Sequence, residues 1–223
     1  PAFISGYTAQ VKRVFLILGL AVVALGLLLI GRAINPGEPS LDSGRRVELP
    51  SDDPSELLAA ALRFKTISGP GRPPQPFLDM QAWIRRQWPD FHRVAKAKRF
   101  AELSLLYTWQ GSDPSLPPAL FLAHQDVVPI EGGTEGEWTH PPFAGVVAAC
   151  GDEEGVCIWG RGAIDMKAAL VSLLDAANGL ARLGWTPRRT LLFAFGHDEE
   201  VGGQGAKAMA DYLAETQQNP EWL

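Results

Sequence analysis

The apolar run Ala119-Leu120-Phe121-Leu122-Ala123 ends abruptly in His124-Gln125-Asp126, and Pro129 closes the segment. An apolar stretch without alternation reads as a strand buried on both faces, which requires layers packed above and below a sheet. A second run of this kind, Thr190 to Phe195 (TLLFAF), stops at Gly196-His197-Asp198-Glu199-Glu200. Helical patterns precede, separate and follow the two runs, so the chain reads as α/β. In open α/β sheets ligands are held beyond the carboxyl ends of the strands. Both runs therefore deliver ionisable side chains to the place where such a fold forms a site.

A third stretch, Gly160-Arg161-Gly162-Ala163-Ile164-Asp165-Met166-Lys167, follows a hairpin expected from Val146–Cys150 and Val156–Trp159. Its glycines allow a tight turn. Asp165 stands ahead of a helix expected from Met166 to Leu183, where it either caps that helix or projects a carboxylate into the site. Adjacent Glu199 and Glu200 repel each other unless a cation is present. One imidazole and several carboxylates, with no cysteine in a useful place, suit zinc or a similar ion held for catalysis. Asp126 is positioned to orient the His124 imidazole, as an outer carboxylate does for a metal-bound histidine. His92 and His140 read as structural, and His197 and Asp198 as flanking residues.

Four blocks carry a resemblance. Leu122-Ala123-His124-Gln125-Asp126-Val127-Val128-Pro129, Trp138-Thr139-His140-Pro141-Pro142-Phe143, Trp159 to Lys167, and Glu199-Glu200-Val201-Gly202-Gly203 resemble, in order and spacing, the signature blocks of the co-catalytic zinc peptidases. That family includes carboxypeptidase S, aminoacylase-1 and glutamate carboxypeptidase. The resemblance implies a three-layer α/β/α catalytic domain that binds two zinc ions. His124 would ligate one zinc, Asp165 would bridge both, and Glu200 would be a further ligand. Glu199 would act as general base and acid, and Asp126 would orient His124. It also implies a cis peptide after the bridging aspartate, here Asp165–Met166. The reaction implied is hydrolysis of a C-terminal peptide bond or of an N-acyl amino acid amide.

Members of the family need one more carboxylate ligand about two dozen residues after Glu200, a distant histidine, and an inserted lid domain that grips the substrate carboxylate and mediates homodimerisation. Residues 54–223 thus read as the first half of the catalytic domain, ending before the lid, with weak metal binding and little turnover expected of this piece alone. Two other readings share the same residues. One is a non-catalytic truncated product; the other is an N-acyl amino acid deacylase or deacetylase on the same scaffold.

Ahead of this domain, Val14 to Ile30 contains no polar side chain. It sits at the short end of the roughly 17–25 residues that span a bilayer, and resembles the anchor of carboxypeptidase S-like members. Residues 1–34 are thus expected to form an anchored N-terminal segment, and residues 35–53, rich in Pro, Gly, Ser and charge, a linker. A cleaved secretion signal is the alternative. The expected setting is a membrane-bound protein with a lumenal, vacuole-like or extracellular domain, or a secreted one. Lys12 and Arg13 balance Arg32, Arg45 and Arg46, so charge sets no orientation. The net charge of −5 and the lack of a glycine-rich phosphate loop point away from nucleic acid and nucleotides. Cys150 and Cys157 flank a hairpin tip and are either free thiols or a cross-strand disulfide.

Overall fold

The computed structural model describes residues 53–151 and 153–222. The apolar segment 14–30 and the linker up to residue 52 lie outside the described residues. Among the described residues no helix is long and apolar enough to cross a membrane.

Helix α1 (Pro54–Leu62) begins at Asp53, whose carboxylate accepts the Ser55 N–H at 2.9 Å. Helices α2 (Gln75–Gln87) and α3 (Pro89–Val94) each carry a proline in the first turn. Pro89 denies Trp88 the helical conformation, so the two are separate elements and not one rod. On α2 the buried residues are Phe77, Met80, Gln81 and Ile84, whereas Leu78 is exposed.

Two strands follow. The pattern predicts one strand from Ala101 to Trp109. The structure instead pairs β1 (Ala95–Phe100) with β2 (Ser104–Trp109) in an antiparallel hairpin. Ala101 and Glu102 form its turn at φ 42° and 70°. The charged sequence of β1 hides it from hydrophobic patterning because it is a sheet edge, where lysines discourage pairing with other chains.

The remaining elements are β3 (Ala119–His124), β4 (Val146–Cys150), β5 (Glu153–Trp159), α4 (Ala168–Arg182), β6 (Leu191–Gly196), α5 (Gln204–Glu215) and β7 (Glu221–Trp222). Strands β4 and β5 form a separate antiparallel hairpin, cross-linked by the Cys150–Cys157 disulfide.

The main sheet runs β1-β2-β6-β3-β7. It is mixed: β1, β2 and β6 are antiparallel neighbours, while β6, β3 and β7 are parallel. Side-chain alternation assigns the two faces. Tyr107, Phe193 and Phe195 join Ile84, Phe91, Leu170 and Leu174 in one core beneath α1–α4. Leu106, Leu192 and Ala194 face the other way, against Met209 and Leu213 of α5. The three-layer arrangement is thus present. Burial of each large apolar side chain here contributes about 1.5–3 kcal/mol. The α5 layer is incomplete along β3, where Leu122 is 50% exposed.

The register of the two central strands aligns their ends. β3 and β6 run side by side with His124 opposite Gly196, and the Gln125 N–H donates to the Gly196 carbonyl at 2.7 Å. The His124 strand end and the Glu199–Glu200 loop therefore start from the same level of the sheet.

Candidate metal centre

His124 is 5% exposed at the tip of β3. Its Nδ1 lies 3.0 Å from the Asp126 carbonyl and 3.3 Å from Asp126 Oδ1. Its Nε2 faces the opening, 2.9 Å from Asp165 Oδ1 and 3.8 Å from Glu199 Oε2. One ring nitrogen is thus held by protein while the other is presented to acidic groups, the arrangement of a metal-ligating imidazole.

Asp165 sits in an irregular turn, Ala163–Lys167, that precedes α4. The Asp165–Met166 peptide is cis, as the family resemblance implies. Asp165 does not cap α4; Lys167 occupies that position, and α4 starts two residues later than the pattern suggests. Gly162 turns into this segment at φ 82°, and a Cβ there would lie 2.4 Å from Val127 Cγ1. Only glycine permits both the angle and the close approach.

Glu199 and Glu200 follow β6 in a short helical turn. Asp126 is fully buried and accepts the Glu199 N–H at 3.2 Å and the Glu200 N–H at 3.1 Å. His197 and Asp198 serve the same loop from its other side. Ser104 Oγ lies 2.7 Å from His197 Nδ1, and the Asp198 carboxylate accepts the Gly205 N–H at the start of α5. Ser104 and Asp198 approach the same ring nitrogen, with Asp198 Oδ1 at 3.6 Å, so this trio is a brace and not a nucleophile with its base.

One oxygen or nitrogen from each of His124, Asp165 and Glu200 lies within 4.8 Å of the others. The three predicted ligands thus converge, with Glu199 beside them. His92 and His140 do not join them. His92 contacts the Trp88 carbonyl and the Tyr107 hydroxyl, and His140 packs edge-on against Trp159.

The charges of the group call for a cation. Burial, and then the nearby Asp165 carboxylate, raise the pKa of Glu200 above the usual carboxylate range. Burial opposes charge on His124, but hydrogen bonds to Asp126 and Asp165 outweigh it and raise the imidazole to about 9. A borderline divalent ion such as zinc fits this set of one imidazole and two carboxylates. Asp165, with a side chain 75% exposed, leaves the position open to solvent and substrate.

Lys167 gives no signal in the sequence, since a lysine near a helix start reads as solvated. It is fully buried, and desolvation lowers its pKa to about 7. Gln125 is buried too, its amide donating to the Leu103 and Phe195 carbonyls beneath the site.

The sequence profile of peptidase family M20/M25/M40 matches residues 120–223. Carboxypeptidase S of Saccharomyces cerevisiae is 37% identical over 169 residues, covering 72% of this chain and 29% of that protein. N-fatty-acyl-amino acid synthase/hydrolase PM20D1 of Mus musculus is 36% identical over 163 residues, covering 71% of this chain and 31% of that protein. The matched segment thus spans about a third of the length of these relatives. Among solved structures, the M20 family metallo-carboxypeptidase Sso-CP2 from Sulfolobus solfataricus superposes with a TM-score of 0.56 at 19% identity, over 76% of this chain and 36% of that one. That likeness establishes the fold.

Proposed function

We propose, from the premise that residues 120–223 belong to peptidase family M20/M25/M40, that the protein is a zinc-dependent amide hydrolase of the carboxypeptidase S type. Its substrate is a peptide or N-acyl amino acid cleaved to release a free amino acid. The observation that carries this reading is the convergence of His124, Asp165 and Glu200 beside an exposed Glu199.

Bound zinc supplies an acidified water and a Lewis acid for the developing oxyanion. The chain's own groups do the rest. His124 offers Nε2 while Nδ1 is held at Asp126. Asp165 and Glu200 supply carboxylate ligands. Glu199 has a side chain 60% exposed, and among the described residues no hydrogen bond holds its carboxylate. It is free to take a proton at Oε2 and hand it to the leaving nitrogen. Among the described residues this is the one cluster with three ligand groups. A second zinc is part of the proposal; Asp165 would help to hold it, together with donors beyond these three. We also propose that residues 14–30 tether the domain to a membrane.

N-acyl amino acid hydrolysis has its own support in the likeness to N-fatty-acyl-amino acid synthase/hydrolase PM20D1.

Zinc content and amino-acid release from a blocked dipeptide and a long-chain N-acyl amino acid test the reading. Zinc uptake that disappears in Asp165→Ala is expected. A protein that takes up no zinc, or an Asp165→Ala variant that takes up as much as wild type, overturns it.

A further inference from the structure

Lys167 buries an ammonium group where the proposed chemistry has no use for it. Its side chain is fully inaccessible, and its Nζ donates to the carbonyls of Ala61 at 3.0 Å and Phe64 at 2.7 Å. Burying a charged or ionisable amine is costly unless its hydrogen bonds hold something in place. Ala61 lies in the last turn of α1 and Phe64 just beyond it, and each carbonyl also accepts a backbone N–H, from Phe64 at 3.4 Å and from Thr66 at 2.9 Å. The Lys167 backbone N–H meanwhile closes the irregular turn by donating to the Gly162 carbonyl at 2.9 Å. One residue therefore shuts the turn that presents Asp165 and bolts that turn to α1.

The same segment of chain holds the other half of the site. Thr66 Oγ1 donates to the Gln125 carbonyl at 2.6 Å, and the Thr66 carbonyl accepts the Val127 N–H at 2.9 Å. These bonds flank Asp126, which in turn fixes His124, Glu199 and Glu200. Residues 61–66 thus link both ligand-bearing segments, and Lys167 provides the side-chain link on the Asp165 side. Asp165 itself is mostly exposed, and its carboxylate meets His124 across the opening. Its position depends on the turn that carries it.

We propose that Lys167 is a positioning residue of the metal centre: by tying the Asp165 turn to the Ala61 and Phe64 carbonyls, it holds the Asp165 carboxylate within reach of His124 and Glu200. This rests on the zinc reading above, and the test separates the two. Zinc affinity is measured by chelator competition, and thermal stability in parallel, for wild type, Lys167→Met, Lys167→Gln and Leu170→Ala. Leu170 is equally buried one turn along α4 and belongs to the apolar core beneath the sheet, so its variant reports the effect of lost stability. Lys167→Met is expected to bind zinc at least about tenfold more weakly, the usual effect of losing an outer support. Leu170→Ala is expected to bind zinc as wild type does despite its lower melting temperature. Lys167→Gln keeps one amide donor and is expected to fall between; it serves as the readout if Lys167→Met does not fold. Unchanged affinity in the Lys167 variants, or an equal loss in Leu170→Ala, overturns the assignment. A wild-type chain that binds no zinc removes the metal reading itself.

Discussion

Asp126 grips Glu200 by the backbone: its Oδ2 accepts the Glu200 N–H at 3.1 Å. Its other oxygen accepts the Glu199 N–H at 3.2 Å and stands 3.3 Å from His124 Nδ1. A single buried carboxylate therefore sets the ring of one proposed ligand, the main chain of a second and the main chain of the proposed base. Hydrogen bonds to an ionised acceptor are the strong ones, worth about 1.5–3 kcal/mol each. Asp126→Ala is expected to weaken zinc binding by about 10–100-fold. Asp126→Asn retains one acceptor oxygen but sets an NH2 against an N–H, and is expected to lose nearly as much. Competition titration with a zinc chelator checks both; an Asp126→Asn protein with wild-type affinity would show that the amide contacts carry no weight.

Glu199 lies beside the His124–Asp165–Glu200 group without belonging to it. His124 Nε2 is 3.8 Å away, beyond hydrogen-bond range, and the side chain is largely exposed. A group that moves a proton must reach both the water and the leaving nitrogen, and an exposed side chain outside the ligand group can do so. Glu199→Gln is expected to lower kcat for amide hydrolysis by at least about 100-fold while leaving zinc affinity within about threefold of wild type. Steady-state kinetics on the active protein, with a parallel metal titration, separate the two effects. A large loss of zinc affinity in this variant would make Glu199 a ligand instead.

The convergence of the candidate site is more legible in the sequence than the framework around it. His124, Asp165 and Glu199–Glu200 are legible because each follows an apolar run or a glycine turn, and strand ends in α/β sheets converge. β1 is not legible, because an edge strand written Ala-Lys-Ala-Lys-Arg-Phe buries almost nothing and leaves no alternation to detect. Helix α3 is hidden by its shortness and by Pro89. The Cys150–Cys157 bridge cannot be chosen over two thiols from the sequence, because Cys157 pairs with Ala148 in the hairpin and it is at the irregularity after Ala149 that Cys150 comes within 5.0 Å of it, Cα to Cα. Lys167 escapes for a different reason: its burial depends on α1, more than a hundred residues earlier in the chain.

Gly162 offers a steric test. Its φ of 82° disfavours any side chain, and a Cβ would meet Val127 Cγ1 at 2.4 Å. Gly162→Ala is expected to destabilise the fold by about 1–3 kcal/mol. Because the turn carries Asp165, zinc affinity should fall as well. Val127→Ala removes the clash but not the backbone strain, so the double variant is expected to recover part of the stability. Urea unfolding of the three variants measures this. Full tolerance of Gly162→Ala would mean that the Asp165 turn is not held by this close approach.

His124 and Lys167 give the metal-free protein opposing pH dependences. His124 has its pKa raised from 6.5 to about 9, so the folded state binds more protons between those values. Its stabilising contribution is complete below pH 6.5 and is lost as pH rises through about 9. Lys167 is lowered from 10.5 to about 7, so the unfolded state binds more protons in that window and stability rises with pH there. From about pH 7 to 9 the two nearly offset each other. Lys167→Met removes the rising contribution, so its urea midpoint is expected to fall between about pH 6.5 and 9 while that of wild type changes much less. Zinc binding reports His124 directly, since the metal must displace its proton. Apparent zinc affinity of wild type is expected to climb by up to about tenfold per pH unit until about pH 9 and then level off. Chelator competition at about pH 6.5, 7.5 and 8.5 measures the slope. A flat profile would show that His124 is already neutral before the metal arrives, and that its proton is not the charge balancing Asp126 and Asp165.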